Sequence, residues 1–180
     1  IEADETWIGG RTRGKGRGVH NMVLVACAVE VLQRKRTSSL NKRKTGRYAG
    51  RVRLSVVQDR SAKSLVGFIE SAVMPGATII TDDWSSYATL GKHGYLHTAI
   101  AERGDMEVAE TFLPIIHLVF SNLKTWLRGI HHGVSPQHLQ AYLDEFTFRF
   151  NRRFYPFNAF RSLLGIAGEP DFVSDQGIAI

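Results

Sequence analysis

Apolar and polar positions along the chain change period several times, and each change predicts an element. Residues 1–9 are short and mixed, with Trp7 and Ile8 ahead of Gly9-Gly10, which predicts a strand that ends in a turn and carries Asp4. The apolar run from Asn21 to Leu32 predicts a buried central strand, and the alternation from Arg51 to Asp59 predicts a half-buried one. Three antiparallel strands are the simplest arrangement of these segments. Ser61 stands ahead of Leu65, Phe68, Ile69 and Val73 at spacings of three and four, so a helix capped by Ser61 should end before Pro75-Gly76. The apolar run Ala77 to Asp82 follows it. A strand reached through a helix pairs in parallel, which leaves Asp82 at its carboxyl end. Trp84 to His93 reads as a short helix and Gly94 to Ile100 as a fifth strand.

The remainder is helical. Leu113 to Leu127 forms one amphipathic segment, and Ser135 to Phe154 forms another, with Leu139, Tyr142, Leu143, Phe146 and Phe150 at helical steps. Ser135 is the expected cap, with Pro136 in the first turn. The aromatics at that spacing read as core, not as a base-stacking surface. Gly129 to Gly133 reads as the connecting loop, and the segment from Gly165 is weakly patterned. The expected class is α/β: a mixed sheet of three antiparallel plus two parallel strands flanked by helices, in one catalytic domain over residues 1–165 with a tail over 166–180.

Size agrees with one domain, since 180 residues with 43% hydrophobic content can bury one substantial core. Charge adds a partner class. The net charge of +6 is concentrated at Arg11, Arg13, Lys15 and Arg17, then Arg34 to Arg36, then Lys42, Arg43 and Lys44 onward. Such clusters suit a polyanion, although composition alone fits a solvated basic loop equally well. The single cysteine, Cys27, lies in an apolar run and has no partner for a disulfide or a thiolate metal cluster, so it reads as a buried thiol. No stretch is apolar enough to span a bilayer and no signal peptide is visible, so the expectation is a cytoplasmic protein without membrane contact. The chain opens directly on Ile1-Glu-Ala-Asp4 and reads as a piece of a longer protein, from which any upstream recognition module would be missing.

The candidate chemistry starts from Asp4 and Asp82. Displacing an oxygen from a phosphodiester needs charge stabilisation on the attacking and departing oxygens, which divalent ions held by carboxylates supply. Mg²⁺ takes oxygen ligands, and one Asp on an early strand beside one at the end of a parallel strand is a sensible pair. Turn or cap roles remain open for each taken singly. Glu5 and Asp83 should point to the opposite face, because side chains alternate along a strand. On the helix from Leu113, residues 117, 120, 121 and 124 share one stripe, so His117 and Lys124 lie on the same side. Lys124 is either a phosphate contact or an ordinary exposed lysine, and His117 is either a site residue or a packed histidine. His131-His132 lack spaced partners for zinc and read as structural or phosphate-adjacent.

Three segments carry a family resemblance: Glu2 to Gly10 (EADETWIGG), Thr81 to Tyr87 (TDDWSSY), and His117 to His132 with Tyr142 to Arg153. Together they resemble the ISXO-type (ISXO2-like) transposase domain of bacterial insertion sequences over most of residues 1–165. The resemblance implies a ribonuclease H-like fold and DDE-type polynucleotidyl transfer with Mg²⁺ or Mn²⁺. It also implies DNA partners, namely insertion-sequence ends and a target duplex, and a homo-oligomer working on that DNA. Position by position, the first acid is Asp4, the second is Asp82, and the family's lysine is Lys124. The third acid does not carry over: His117 stands seven residues before Lys124, where a Glu is usual, and Asn122 is the rival third residue. Helical geometry favours His117. An imidazole offers nitrogen in place of a hard anionic oxygen and suits Mn²⁺ better than Mg²⁺, and its near-neutral pKa also permits proton transfer to the leaving 3′-oxygen. Arg149, Arg152 and Arg153 at the end of the last long helix read as contacts to the DNA backbone. The competing readings are a ribonuclease H-like nuclease that only hydrolyses, and a degenerate domain that binds DNA without turnover.

Overall fold

A strand buried on both faces reads as an unbroken apolar run, and the run beginning at Met22 sits near the middle of the sheet for that reason. The computed structural model describes residues 1–9, 22–33, 46–101, 112–131 and 135–168. Its strands are β1 (Glu2–Gly9), β2 (Met22–Gln33), β3 (Arg47–Val56), β4 (Thr78–Asp82) and β5 (Leu96–Ile100), in the order β3-β2-β1-β4-β5. β1 and β2, and β2 and β3, pair antiparallel; β1 and β4, and β4 and β5, pair in parallel. This is the expected mix of three antiparallel and two parallel strands. The helices are α1 (Ala62–Ala72), α2 (Pro114–His131), α3 (Leu139–Asn151) and α4 (Pro156–Gly168).

Alternation along the strands divides the core in two. Val25, Cys27, Val29 and Leu54 face α2 and α3, where they meet Ile116, Val119, Leu123, Leu143 and Phe146. Ala3, Ala26, Ala28 and Ile79 face α1, where they meet Leu65, Ile69, Tyr87 and Leu90. Cys27 is fully buried, and that burial pushes its thiol well above the ordinary range, which leaves it inert. Ser61 caps α1, its hydroxyl accepting the Ser64 N–H at 3.3 Å. Among the described residues no helix is long and apolar enough to cross a membrane.

Several boundaries differ from the pattern-based expectation. Where the pattern predicts a helix capped by Ser135 and running through Phe154, Pro136–His138 is a 3₁₀ turn with no side-chain cap from Ser135, and α3 runs only from Leu139 to Asn151. β3 begins at Arg47, not Arg51, because a bulge between Val29 and Val31 carries the ladder on to Ala49, Tyr48 and Arg47. Trp84 to His93 is two 3₁₀ turns, Ser85–Tyr87 and Leu90–His93, the second closed by Gly94 at φ +85°. The helix from Pro114 runs through Gly129 to His131, so the expected loop starts later. Past Tyr155, Pro156 opens α4, which crosses the expected boundary at residue 165. Phe157, Phe160, Leu163 and Leu164 stay exposed on α4, so no burial pattern marks this helix in the sequence.

β3 is an edge strand, and α3 completes its hydrogen bonding with side chains. Asn151 Oδ1 accepts the Val52 N–H at 2.8 Å while its Nδ2 donates to the Val52 carbonyl at 3.1 Å. Gln140 Oε1 accepts the Val56 N–H at 2.8 Å. These amides stand in for a sixth strand and close an edge that would otherwise template pairing. Asn151→Ala should therefore lower the unfolding free energy by about 1–3 kcal/mol, the cost of leaving a partly buried donor and acceptor unpaired. Urea unfolding checks this; a loss under about 0.5 kcal/mol would show that water replaces the amide without penalty.

Candidate active site

β1 places alternate side chains on opposite faces of the sheet, and this alternation builds the site. Glu2, Asp4, Thr6 and Ile8 face α2, while Ala3 and Glu5 face α1. The helix α2 starts at Pro114, and the residue before it, Leu113, has no side chain able to cap it. Glu2 supplies the cap from a distance: its Oε2 accepts the N–H groups of Ile115 at 2.9 Å and Ile116 at 2.8 Å. These are donors that an α-helix leaves unpaired at its start, where the dipole also favours an acid. Glu2 is fully buried, and burial raises its carboxyl pKa against the opposing pull of the two N–H bonds.

With α2 anchored there, its stripe lies along β1. His117 Nε2 is 3.7 Å from Asp4 Oδ2, and Lys124 Nζ donates to Thr6 Oγ1 at 2.7 Å. Between strand and helix lies a cleft of about 430 Å³ whose walls include Asp4, Thr6, His117, Ser121, Lys124 and Arg128. Partial burial lowers the Lys124 pKa, and the Arg128 charge lowers it further. Two cations one turn apart repel each other unless an anion sits between them. Asp82 lies two residues past Ile80, which pairs with Glu2, and by strand alternation it shares the face of Glu2 and Asp4. Its Oδ1 accepts the Trp84 N–H at 3.3 Å.

Asp4, Asp82, His117 and Lys124 thus come to one face. Asn122 is exposed and is not among the cleft residues. Glu5 points the other way, where Arg60 and Tyr87 engage its carboxylate. Of the expected DNA contacts, Arg149 pairs with Glu145 at 2.8 Å and Arg152 lies over the Phe148 ring. The Arg153 guanidinium donates to the carbonyls of Ala49, Gly50 and Phe150 and covers the Phe150 ring, which fastens the end of α3 to β3. Arg11, Arg13, Lys15, Arg17, Lys42, Arg43 and Lys44 lie outside the described residues, as does His132. Sequence reasoning missed Glu2, Arg60 and Arg128. The signal for Glu2 was its place two residues before Asp4, on the same strand face, together with an uncapped Leu113-Pro114 helix start.

A family model described as the ISXO2-like transposase domain matches residues 1–151. The chain belongs to the ISXO2-like transposase domain family. Searches of curated proteins and of solved structures returned no match. Transposases of the DDE class act on nucleic acid and generally use divalent metals. Among the described residues, no three His, Cys, Asp or Glu side chains are grouped closely enough to hold a metal unaided. The donor set of this transposase domain nonetheless fits Mg²⁺ or Mn²⁺ in one respect. Such ions are held by one or two carboxylates, keep several waters, and take further ligands from substrate phosphates.

The buried cap gives a pH signature. A carboxyl whose folded pKa is raised above 4.5 binds its proton more tightly in the folded chain. Its stabilising contribution is complete below 4.5 and is lost as pH rises through the folded value. Glu2→Gln removes that titration, so unfolding free energies measured by urea from acid to neutral pH should move against the wild type, relative to the variant, as pH rises. Parallel curves would show that Glu2 titrates alike in both states.

Proposed function

We propose that this domain cleaves DNA at insertion-sequence ends and joins the freed ends to target DNA, on a ribonuclease H-like fold. The observation that carries this reading is the convergence of Asp4, His117 and Lys124 on one cleft, with Asp82 on the same face of the neighbouring parallel strand. The strand order β3-β2-β1-β4-β5 supports the fold assignment. Asp4 and Asp82 would hold Mg²⁺ or Mn²⁺, which supplies charge stabilisation to the attacking and leaving oxygens. Lys124 and Arg128, at the far end of the cleft, hold the phosphates of the bound strand. In cleavage, a water oxygen attacks phosphorus and loses its proton to solvent, the bond to the 3′-oxygen breaks, and that oxygen takes a proton from solvent, while His117 would add a nitrogen donor beside Asp4. In joining, the resulting 3′-hydroxyl attacks a target phosphodiester in the same geometry.

The test is joining of an end duplex bearing a 3′-hydroxyl to a plasmid target. Asp4→Asn and Asp82→Asn should each lower joining about 100-fold or more, the scale seen when one preorganised electrostatic group is removed. With imidazole at position 117, activity in Mn²⁺ should exceed that in Mg²⁺. His117→Glu should raise Mg²⁺-supported joining, because a hard oxygen replaces nitrogen; unchanged or lower activity would count against a modified acidic site. Hydrolysis without joining would point to a nuclease, and salt-sensitive binding indifferent to metal would point to a domain without turnover.

The basic end of the cleft gives a separate prediction. Arg128→Gln should weaken binding of a DNA duplex and reduce the slope of log affinity against log salt by about 1, as expected when one phosphate contact is lost. Fluorescence anisotropy over a salt series reads this slope, and Lys63→Gln, on the exposed face of α1, is the control expected to leave it unchanged.

A further inference from the structure

The main-chain ladder between β1 and β4 is short. It pairs Glu2 with Ile80 and, among the described residues, extends no further, so the ladder does not itself fix the spacing of Asp4 and Asp82. On the opposite face of the sheet a closed set of contacts spans the same gap. Glu5, next to Asp4 on β1, has a carboxylate only 1% exposed. Its Oε1 accepts Arg60 Nε at 2.5 Å and also meets Arg60 Nη2, while its Oε2 accepts the Tyr87 hydroxyl at 2.6 Å.

Arg60 lies between β3 and α1 and acts through both its side chain and its backbone. Its carbonyl accepts the Trp84 indole N–H at 3.3 Å and the Ser86 hydroxyl at 2.5 Å. Its guanidinium lies 4.2 Å from the centre of the Trp84 ring. Trp84 in turn donates its backbone N–H to Asp82 Oδ1. The circuit therefore runs from the neighbour of Asp4, through Arg60, to the turn that orients Asp82. A buried carboxylate with two guanidinium nitrogens on one oxygen and a phenol on the other holds its geometry more firmly than an exposed ion pair, because release would strand a desolvated charge.

We propose that Arg60 is a positioning residue, and that the Glu5–Arg60–Trp84 clamp sets the separation and orientation of Asp4 and Asp82 from the far side of the sheet. This rests on the reading of those two aspartates as metal ligands. Residues behind a metal's ligands commonly change affinity 10–100-fold on mutation, and a clamp acting through one hydrogen bond falls at the lower end, about tenfold.

The test combines Mn²⁺ titration by calorimetry with amide hydrogen exchange on the full chain. Arg60→Ala should weaken Mn²⁺ binding about tenfold and speed exchange of the amides from Trp84 to Ala88, with β2 amides unchanged. Arg60→Lys should recover part of the affinity. Trp84→Phe keeps a ring beneath the guanidinium and removes the indole donor, so a loss of about threefold is expected, and this variant serves where Arg60→Ala folds poorly. Wild-type Mn²⁺ affinity in Arg60→Ala and Trp84→Phe would overturn the clamp and leave the metal reading standing. Wild-type protein that binds no Mn²⁺, or Asp82→Asn that binds it normally, would overturn the metal reading and the clamp with it. Faster exchange with unchanged affinity would make Arg60 a folding residue only and would also overturn the proposal.

Discussion

One buried carboxylate fixes how α2 lies along β1 on the site face. Glu2 accepts the first free N–H groups of α2, and from that anchor strand and helix run side by side. A strand rises about 3.3 Å per residue and a helix about 1.5 Å. Four residues along β1 from Glu2 reach Thr6 at about 13 Å, and eight residues along α2 from Ile116 reach Lys124 at about 12 Å. The two advances match, and the Lys124–Thr6 hydrogen bond is the result. Near the anchor, one residue past Ile116, the His117 imidazole comes within 3.7 Å of the Asp4 carboxylate. A local cap from a Ser or Asp at position 113 would have satisfied the helix start without tying it to β1. The distant cap does both.

β1 serves two layers at once, and this makes neighbouring acids differ in kind. Asp4 opens onto the cleft, 16% exposed, with one oxygen held by the Glu5 N–H. Glu5 is sealed on the other face and is tolerable there only because Arg60 and Tyr87 both engage it. Burial and the Glu5 charge push the Tyr87 phenol far above its ordinary range, so it remains a proton donor to that carboxylate at every physiological pH. Asp4 therefore lines the cleft while Glu5 is a structural residue, and one step along a strand separates the two environments.

The readable parts of the chain were those in which one segment carries its own signal. The apolar run of β2, the cap and spacing of α1, and the His117 to Lys124 stripe each depend on local period alone, and each appears in the structure. The unread parts depend on partners far along the chain. Glu2 caps a helix 113 residues away, and Arg60 answers an acid on β1. Arg153 stands in a run of arginines and aromatics that looks like a surface, yet its donors close against carbonyls of β3 and of the preceding helix α3. β3 starts early because a bulge at Glu30 lets Tyr48 and Ala49 continue the ladder, and a two-strand register is not written in either strand alone.

Under the proposed reading His117 stands where a third carboxylate would sit, and an imidazole there changes the charge balance of the cleft. Apart from the buried Glu2, the named carboxylates on this face are Asp4 and Asp82, and the cations there are Lys124 and Arg128. Under the proposed reading, a divalent ion bound here lacks the third fixed carboxylate that would both ligate it and offset its charge. The substrate phosphate must then supply part of that ligand set, because hard divalent ions complete their coordination with phosphate and water oxygens. Lys124 and Arg128 favour the same phosphate. Metal and DNA each make the other's site more favourable, and linkage requires the two gains to be equal. In such a site the third ligand arrives with the substrate, which is a physical reason for an imidazole to be tolerated at position 117.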